Sequence, residues 1–333
     1  MKNFGLLLAI IFLSAASPVL ANALMLVPGG ENIAFEIYSD GIIVTGSYNV
    51  DYLESNYNPN RDSDIIKGDI IYQIGDKRVT DLKSFTSEFY RYKDDGILPL
   101  MIKRSQNQYY RELRLIKDDN SYKTGLYVKE RILGIGTVSF YDPVNKTYGA
   151  LAHEVYDDDT ASIIDVRVGA IYLEEVESIT PSKDGDVGSK NCDVDLEDPI
   201  GDIIDNTSFG IFGNIDEIPS SYEMIEVANV EDIKLGKAII RTCVKDDKLE
   251  DFEIQITALK KQKQMDIKGI SFTITDEDLL QIGGGIYQGM SGSPIIQDNK
   301  LIGAVTHVNV NNVETGYGVY MQYMYQKSLE SFA

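Results

Sequence analysis

One glycine-rich loop between two strand-like runs constrains this chain more than any other stretch. Residues 289–294 read Gly-Met-Ser-Gly-Ser-Pro, with the apolar runs 294–296 and 301–305 and the turn 297–300 directly after them. Glycine accepts backbone angles that are closed to other residues and lets a second backbone approach closely. Ser291 is therefore expected in an exposed loop before a hairpin, with N–H groups nearby that could bind the oxyanion of an acyl-transfer intermediate.

The same pattern is also compatible with an ordinary glycine-rich turn, so the interpretation depends on a partner for Ser291. A serine hydroxyl is a weak nucleophile until a base takes its proton. The chain has two histidines. His153 ends the small-residue segment Gly-Ala-Leu-Ala-His, and His307 lies on the second strand of the predicted hairpin. Neither stands in a metal-ligand pattern such as H-E-x-x-H, and we expect no metal and no cofactor.

Length and composition limit the number of domains and the kinds of partner that this chain can have. A chain of 333 residues is long enough for two domains that each have a core. The formal net charge of -21 argues against nucleic acid as a partner, because no basic face is easily assembled. Two cysteines, Cys192 and Cys243, could pair in an exported protein, but two alone do not decide it.

The N-terminus has the pattern of an export signal. Lys2 precedes an apolar run from Phe4 to Leu13, and Ala21-Asn22-Ala23 forms an A-x-A-like cleavage site. The run is shorter than the roughly 20 apolar residues that span a bilayer. Residues 1–23 are predicted to be a signal peptide or an uncleaved anchor, and the mature protein is expected outside the cytoplasm.

The next region resembles a PDZ domain. Residues 66–79 read Ile-Lys-Gly-Asp-Ile-Ile-Tyr-Gln-Ile-Gly-Asp-Lys-Arg-Val, and Asp81 is placed to cap a helix that follows. Residues 98–103 and 109–115 are predicted as a strand pair. We expect a PDZ-like domain over residues 33–118. Such domains bind peptide termini by adding a strand to a sheet edge; the alternative is a spacer that binds nothing.

Residues 122–333 are rich in short strand patterns with closely spaced turn signals, which predicts an all-β sandwich or a pair of barrels. A serine loop followed by a hairpin is how the second barrel of chymotrypsin-like serine proteases presents its nucleophile. The predicted fold is mainly β, an N-terminal PDZ-like domain followed by a chymotrypsin-like double β-barrel. Residues 180–205, heavy in Asp, Gly, Ser and Lys, are expected to form a surface loop or an insertion that touches substrate.

Three blocks together closely resemble the stage IV sporulation protein B peptidase family. They are the PDZ signature, the histidine block (Gly-Ile-Gly-Thr-Val-Ser-Phe-Tyr-Asp-Pro at 134–143 with Gly-Ala-Leu-Ala-His at 149–153) and the serine block at 284–307. Members are exported serine peptidases of endospore-forming bacteria. They are built as a signal or anchor segment, a PDZ domain and a peptidase domain. They tend to have glycine before the histidine, where this chain has Ala152.

The resemblance implies a catalytic triad. The family's serine falls on Ser291 and its histidine on His153. Its aspartate, in a Thr-Asp after a strand, falls on Asp276, with Asp278 as the nearby alternative. The order His, Asp, Ser is the one found in chymotrypsin. Asp276 is also placed to be a simple helix cap.

Further site residues are predicted around the nucleophile. The N–H groups of Gly289 and Ser291 are the candidates for the oxyanion hole. His307 is expected to be a satisfied polar residue or, with Thr306 and Val308, a wall of the substrate groove, because the corresponding strand of chymotrypsin-like enzymes pairs with substrate.

The resemblance also implies a signalling role. The family's enzyme cleaves itself and then a membrane-bound inhibitory complex, which leads to maturation of a sporulation sigma factor. The implied partners are a membrane-bound regulator, the chain itself and peptide termini at the PDZ-like domain. The implied location is the space between the forespore and mother-cell membranes. Two alternatives stay open: an envelope quality-control PDZ protease, and a non-catalytic peptide-binding adaptor.

Overall fold

A computed structural model describes residues 23–52, 55–118, 121–157, 159–160, 162–218 and 223–333. The predicted signal peptide or anchor lies outside the described residues except for its last residue, Ala23. In the described ranges no helix is both long and apolar enough to cross a membrane. Cys192 and Cys243 are both described, and both are free thiols.

The strands and helices of the described residues follow in chain order. They are β1 (Met25–Pro28), β2 (Asn32–Ser47), β3 (Val50–Tyr52), β4 (Ser55–Tyr57), α1 (Pro59–Ser63), β5 (Ile70–Ile74), β6 (Lys77–Arg78), α2 (Leu82–Tyr92), β7 (Ile97–Arg104), β8 (Asn107–Arg114), β9 (Ile116–Asp118), β10 (Ser121–Lys123), β11 (Leu126–Asp142), β12 (Thr147–Ala150), β13 (Tyr156–Asp157), β14 (Ser162–Ile163), β15 (Val168–Leu173), β16 (Ser178–Thr180), β17 (Ser189–Asn191), β18 (Gly201–Asp202), β19 (Asp205–Thr207), β20 (Gly210–Asn214), β21 (Ile225–Val227), a 3₁₀ turn (Val230–Asp232), β22 (Gly236–Cys243), β23 (Leu249–Leu259), β24 (Ile270–Ile274), α3 (Glu277–Gly283), β25 (Pro294–Gln297), β26 (Lys300–Val308), β27 (Thr315–Tyr320) and α4 (Met321–Ser331).

The last six strands close into an antiparallel barrel in the order β22-β23-β24-β27-β26-β25, with β25 pairing back to β22. Side chains along β23 alternate between the barrel interior and solvent. Phe252, Ile254 and Ile256 are buried, whereas the residues between them are exposed. Their side chains pack with Phe272 and Ile295 inside the barrel. The hairpin predicted after the serine loop is confirmed as β25 and β26.

An earlier barrel has the same strand order. β2, β11, β12, β20, β18 and β15 are joined in that sequence, and β15 returns to β2. The β20 to β18 step is a single bridge between Gly201 and Ile215. Ile33, Val138 and Tyr148 are among the buried residues of its core. The predicted mainly β fold with a chymotrypsin-like pair of barrels is confirmed by these pairings.

A smaller unit is inserted between the first two strands of the first barrel. The later part of β2 and the early part of β11 leave the barrel and join a separate core that contains Ile42, Ile71 and Leu100. The predicted strand pair is confirmed as β7 and β8, and Asp81 caps α2 as predicted, in a capping box with Ser84.

This insertion bears on the predicted domain boundaries. Ile33, Phe35 and Ile37, which the sequence assigns to the PDZ-like domain, lie in the core of the first barrel. One continuous strand, β2, therefore serves both cores, because it is long enough to pair with β11 along nearly its whole length. The identity of the inserted unit as a PDZ domain, and its boundaries at 33–118, stay predictions.

Deleting a core aromatic in the second barrel is expected to weaken the fold. Phe272 is fully buried, so Phe272→Ala should lower the free energy of unfolding by about 3–5 kcal/mol, because it removes apolar burial and leaves a cavity. Phe332→Ala is the matched control, since Phe332 is 38% exposed. Urea denaturation of both variants measures the difference, and equal losses would contradict the assignment of Phe272 to the barrel core.

Candidate active site

A cavity of about 1080 Å³ has walls from both barrels. Ser291 and His153 both line it, as do Gly289 and the three predicted groove residues Thr306, His307 and Val308. The two barrels therefore bring the candidate nucleophile and the candidate base, which are far apart in sequence, to one cleft.

The loop that carries Ser291 (residues 288–293, the serine loop) packs closely against the first barrel. Gly292 has φ +95°, and a Cβ on it would lie 2.1 Å from the Thr137 carbonyl oxygen and 2.6 Å from the Leu151 N. Only glycine fits there, because any side chain would collide with backbone. The Ser291 carbonyl accepts the Thr137 N–H at 3.0 Å, and the Ser291 hydroxyl donates to the Thr306 carbonyl at 3.4 Å.

The orientation of two peptide groups in this loop decides where the N–H groups of Gly289 and Ser291 point. The Gln288 carbonyl accepts the Lys190 N–H at 2.9 Å, and the Met290 carbonyl accepts the Ser293 N–H at 3.0 Å. In a trans peptide the N–H points away from its carbonyl, so the Gly289 and Ser291 N–H groups are directed away from these acceptors. Within the described residues, neither donates to a protein acceptor. An oxyanion hole requires N–H donors of this kind without protein acceptors, and the assignment of these two stays a prediction.

His153 follows a sharp turn at the end of β12. Leu151 and Ala152 have φ of +67° and +60°, in the left-handed region that favours glycine. Ala152 is completely buried. Alanine is small enough for this pocket, but glycine would adopt the same backbone conformation with less strain.

The tautomer of His153 is set by its own neighbour, and its neutral state by burial. His153 Nδ1 lies 2.8 Å from the Glu154 carbonyl oxygen. Because a carbonyl only accepts, Nδ1 is assigned the hydrogen and Nε2 is left as an acceptor. Burial lowers the pKa of His153, and the Glu154 carbonyl opposes that shift only in part. The imidazole is therefore neutral near pH 7, as a general base must be.

His307 is the second imidazole of the cleft. Its ring centroid lies 5.5 Å from that of His153. Burial first, and the neighbouring His153 second, lower the pKa of His307 to about 4. Its Nδ1 is buried and has no hydrogen-bond partner among the described residues. His307 therefore contributes a neutral wall to the cleft, next to the imidazole proposed above as the base.

Asp276 lies apart from this group. Its carboxylate accepts the N–H groups of Asp278 and Leu279, both at 3.1 Å, and caps α3. A third N–H, that of Glu253, reaches it at 3.2 Å. Asp276 is not among the residues that line the cavity, and the alternative, Asp278, lies in the first turn of the same helix. The role of either as the triad acid stays a prediction.

Two residues that the sequence did not assign to the site, Thr137 and Lys190, contact the serine loop in the structure. Thr137 lies within the quoted histidine block, but nothing in its pattern pointed to the serine loop. Lys190 lies in the segment expected to be a surface loop, and its side chain is only 2% exposed. Both contact the serine loop from outside it, which no local pattern could indicate.

An open strand edge borders the cavity. β25 pairs with β26 as far as Ala304, and Ser293 and Gly292 continue the ladder to the N–H and carbonyl of Val305. Beyond that, β26 pairs on one side with β27, through His307 with Tyr317 and Val308 with Gly316. Among the described residues no strand pairs with the other side of Thr306 to Val308, where the Thr306 carbonyl accepts the Ser291 hydroxyl. An extended peptide could therefore add to that side.

Two chymotrypsin-like barrels with a serine loop and a histidine on the wall of one cleft define a serine peptidase. The chain belongs to the SpoIVB peptidase S55 family, whose model matches residues 120–325.

Solved structures with some similarity come from the Rv3671c protease of M. tuberculosis. Its active form is 15% identical over 61% of this chain and 75% of that chain, with a TM-score of 0.33. An inactive form with a serine-to-alanine mutation is 14% identical over 60% and 82% of the two chains, with a TM-score of 0.32. A search of curated proteins found no match. The fold assignment rests on the strand pairings of this chain.

The lowered pKa of His153 predicts the pH dependence of activity. The base must be neutral, so kcat/KM should rise with pH through a midpoint below the ordinary histidine value of about 6.5. A pH series with a cleaved peptide substrate measures it. His307→Asn should keep the same rise of kcat/KM at acid pH, whereas His153→Asn should abolish activity. The reverse result would exchange the roles of the two histidines.

Gly289 is predicted to tolerate no side chain. It has φ +97°, and a Cβ would lie 2.9–3.1 Å from the Lys190 side chain. Gly289→Ala should lower kcat by about 100-fold or more, the typical cost of losing one oxyanion donor. Gly185→Ala is the matched control, because Gly185 also has positive φ (+87°) but open space around it. Equal activity of the two variants would refute the role of Gly289.

Proposed function

We propose that this chain is an exported serine endopeptidase in which Ser291 is the nucleophile and His153 is the general base. The observation that carries the proposal is the shared cavity, in which the Glu154 carbonyl holds Nδ1 of His153 and leaves Nε2 as an acceptor. A serine hydroxyl and, in the same cleft, a histidine nitrogen that can accept its proton are the minimum that acyl transfer needs.

In the proposed reaction, Ser291 Oγ attacks the carbonyl carbon of the scissile peptide while His153 Nε2 takes the hydroxyl proton. The oxyanion that forms is bound by the N–H groups of Gly289 and Ser291. The tetrahedral intermediate collapses, the C–N bond breaks, and His153 gives its proton to the leaving amine. A water molecule then attacks the acyl-enzyme, with His153 again as the base, and releases the new carboxyl terminus.

The substrate is proposed to be a protein segment in extended conformation that adds to the free edge of Thr306 to Val308. Most charged groups of the cleft have partners: Lys129 pairs with Asp157 and Asp159, and Arg131 pairs with Glu36. Glu154 accepts the Tyr156 hydroxyl through Oε1, while its Oε2 has no partner among the described residues. Several of the other lining residues are aliphatic, namely Val187, Ile286, Val308 and Val310. The cleft is therefore suited to apolar side chains on the substrate.

The biological role proposed is regulated cleavage. The enzyme cleaves itself and then a membrane-associated regulator, and so triggers a sporulation cascade that matures a sigma factor, in the space between the two membranes. Membership of the SpoIVB peptidase family and the signal-like N-terminus support this role. The inserted unit is proposed to bind peptide termini, and it shares β11 with the barrel that carries Thr137.

Asp276→Asn tests the remaining part of the predicted triad. Asparagine caps helices as well as aspartate does, so the fold should be kept while the carboxylate is lost. The described residues that bond to the Asp276 carboxylate all do so through backbone N–H groups, and a role as helix cap alone predicts a fall in kcat of less than about tenfold. A fall of about 10⁴-fold, as for loss of the triad acid in a serine protease, would make Asp276 that acid.

Self-cleavage tests the proposal as a whole. The purified full chain and its Ser291→Ala and His153→Ala variants are followed by mass spectrometry, with and without a serine-reactive phosphonate. Only the wild type should trim itself, and only it should carry the adduct, on Ser291. A wild type that stays intact and unlabelled would refute the peptidase and favour a peptide-binding adaptor.

A further inference from the structure

Lys190 is a buried cation that the proposed reaction does not use. It lies on β17 and is 2% exposed. Lysine is almost never fully buried unless its charge has partners, since an isolated ammonium is costly to remove from water. Its partners are therefore informative.

The ammonium group is held between the two barrels by hydroxyls. Lys190 Nζ lies 3.0 Å from Thr242 Oγ1 on β22 and 3.4 Å from Thr137 Oγ1 on β11. An ammonium can only donate, so both hydroxyl oxygens must accept from it. Burial lowers the pKa of Lys190 to about 8, which still leaves it protonated and a donor at pH 7.

This arrangement fixes the direction of the next hydrogen bond. Since Thr137 Oγ1 accepts from Lys190, its own hydrogen is available to donate, and it does so to the Gly289 carbonyl at 2.7 Å. The N–H of Thr137 donates to the Ser291 carbonyl at 3.0 Å. One residue of the first barrel thus holds the carbonyls on both sides of Met290.

Lys190 also contacts the loop directly. Its N–H donates to the Gln288 carbonyl at 2.9 Å, and the Gln288 N–H donates to the Gly188 carbonyl at 2.8 Å. Its side-chain carbons lie under Gly289, close enough that a Cβ there would be 2.9–3.1 Å away. Rotation of the Gln288–Gly289 peptide, which would turn the Gly289 N–H away from the substrate, would break the first of these bonds.

We propose that Lys190 is a positioning residue that acts through Thr137 to hold the loop Gln288–Ser291 with its N–H groups ready to bind the oxyanion. The inference rests on the proposed function, because these N–H groups have a catalytic meaning only if Ser291 is the nucleophile. Lys190 does not touch substrate; it sets the orientation of the groups that do.

Two nearly isosteric substitutions in the full chain test the hydrogen bonds from Lys190 through Thr137 to the loop. Lys190→Met keeps the apolar stem and removes the ammonium, and Thr137→Val keeps the shape and removes the hydroxyl. Each should lower kcat about tenfold or more, less than the typical loss of a whole oxyanion donor, with KM within about threefold of wild type. The double variant should be little worse than either alone, because the two residues act in one chain of hydrogen bonds.

The controls separate positioning from general stability. Thr137→Ser keeps the hydroxyl and should retain most of the wild-type kcat, whereas Lys248→Met changes an exposed lysine (73% side-chain exposure) and should have no effect. A peptide boronic acid, which mimics the tetrahedral intermediate, should bind Lys190→Met about tenfold or more weaker than wild type, while a cleavage-product peptide should bind both equally.

The possible failures are distinguishable. If wild type turns over and its Ser291 reacts with a phosphonate, but Lys190→Met and Thr137→Val keep the wild-type kcat, the inference is overturned and the peptidase stands. The inference also fails if Thr137→Ser loses as much kcat as Thr137→Val, or if boronate and product affinities fall together. An inactive, unlabelled wild type overturns the proposed function and this inference with it.

Discussion

The contact between the Thr137 backbone and the serine loop is the interaction on which the site depends. Gly292 approaches the Thr137 carbonyl so closely that a Cβ would lie 2.1 Å from it, and the Thr137 N–H binds the Ser291 carbonyl. Ser291 belongs to the second barrel and His153 to the first, so their distance is set by how closely the barrels dock. A larger residue at this point would separate the barrels and, with them, the nucleophile and the base.

Several polar groups near that contact are held by hydrogen bonds, whereas His307 Nδ1, Glu154 Oε2 and the Ser293 hydroxyl have no partner among the described residues. A backbone carbonyl accepts from His153, and two hydroxyls accept from the Lys190 ammonium. Satisfied buried polar groups favour one arrangement over others, because each alternative leaves a donor or acceptor unpaired. In the proposed reaction these bonds would hold the serine loop in place while charge develops on the reacting carbonyl.

The inserted unit and the first barrel are connected by continuous strands. β2 and β11 run through both cores, and Thr137 lies near the end of β11 that contacts the serine loop. The helix α4 instead ties the second barrel to the first, since Met321 and Met324 pack with Phe140 and Phe212 of the first barrel. Packed strands and helices of this kind are the physical means by which a change at one place can bias another.

Local chemistry in the sequence determined much of this protein. The glycine-flanked serine, the hairpin after it, the Asp81 helix cap and the alternating strands are properties of a few neighbouring residues, and all could be predicted. The shared strand β2, the burial of Lys190 within an apparently polar loop, and the hydrogen bonds of Thr137 and Glu154 could not. They join residues such as 137 and 289 that are distant in the chain, and only the docking of two barrels decides which of these groups meet.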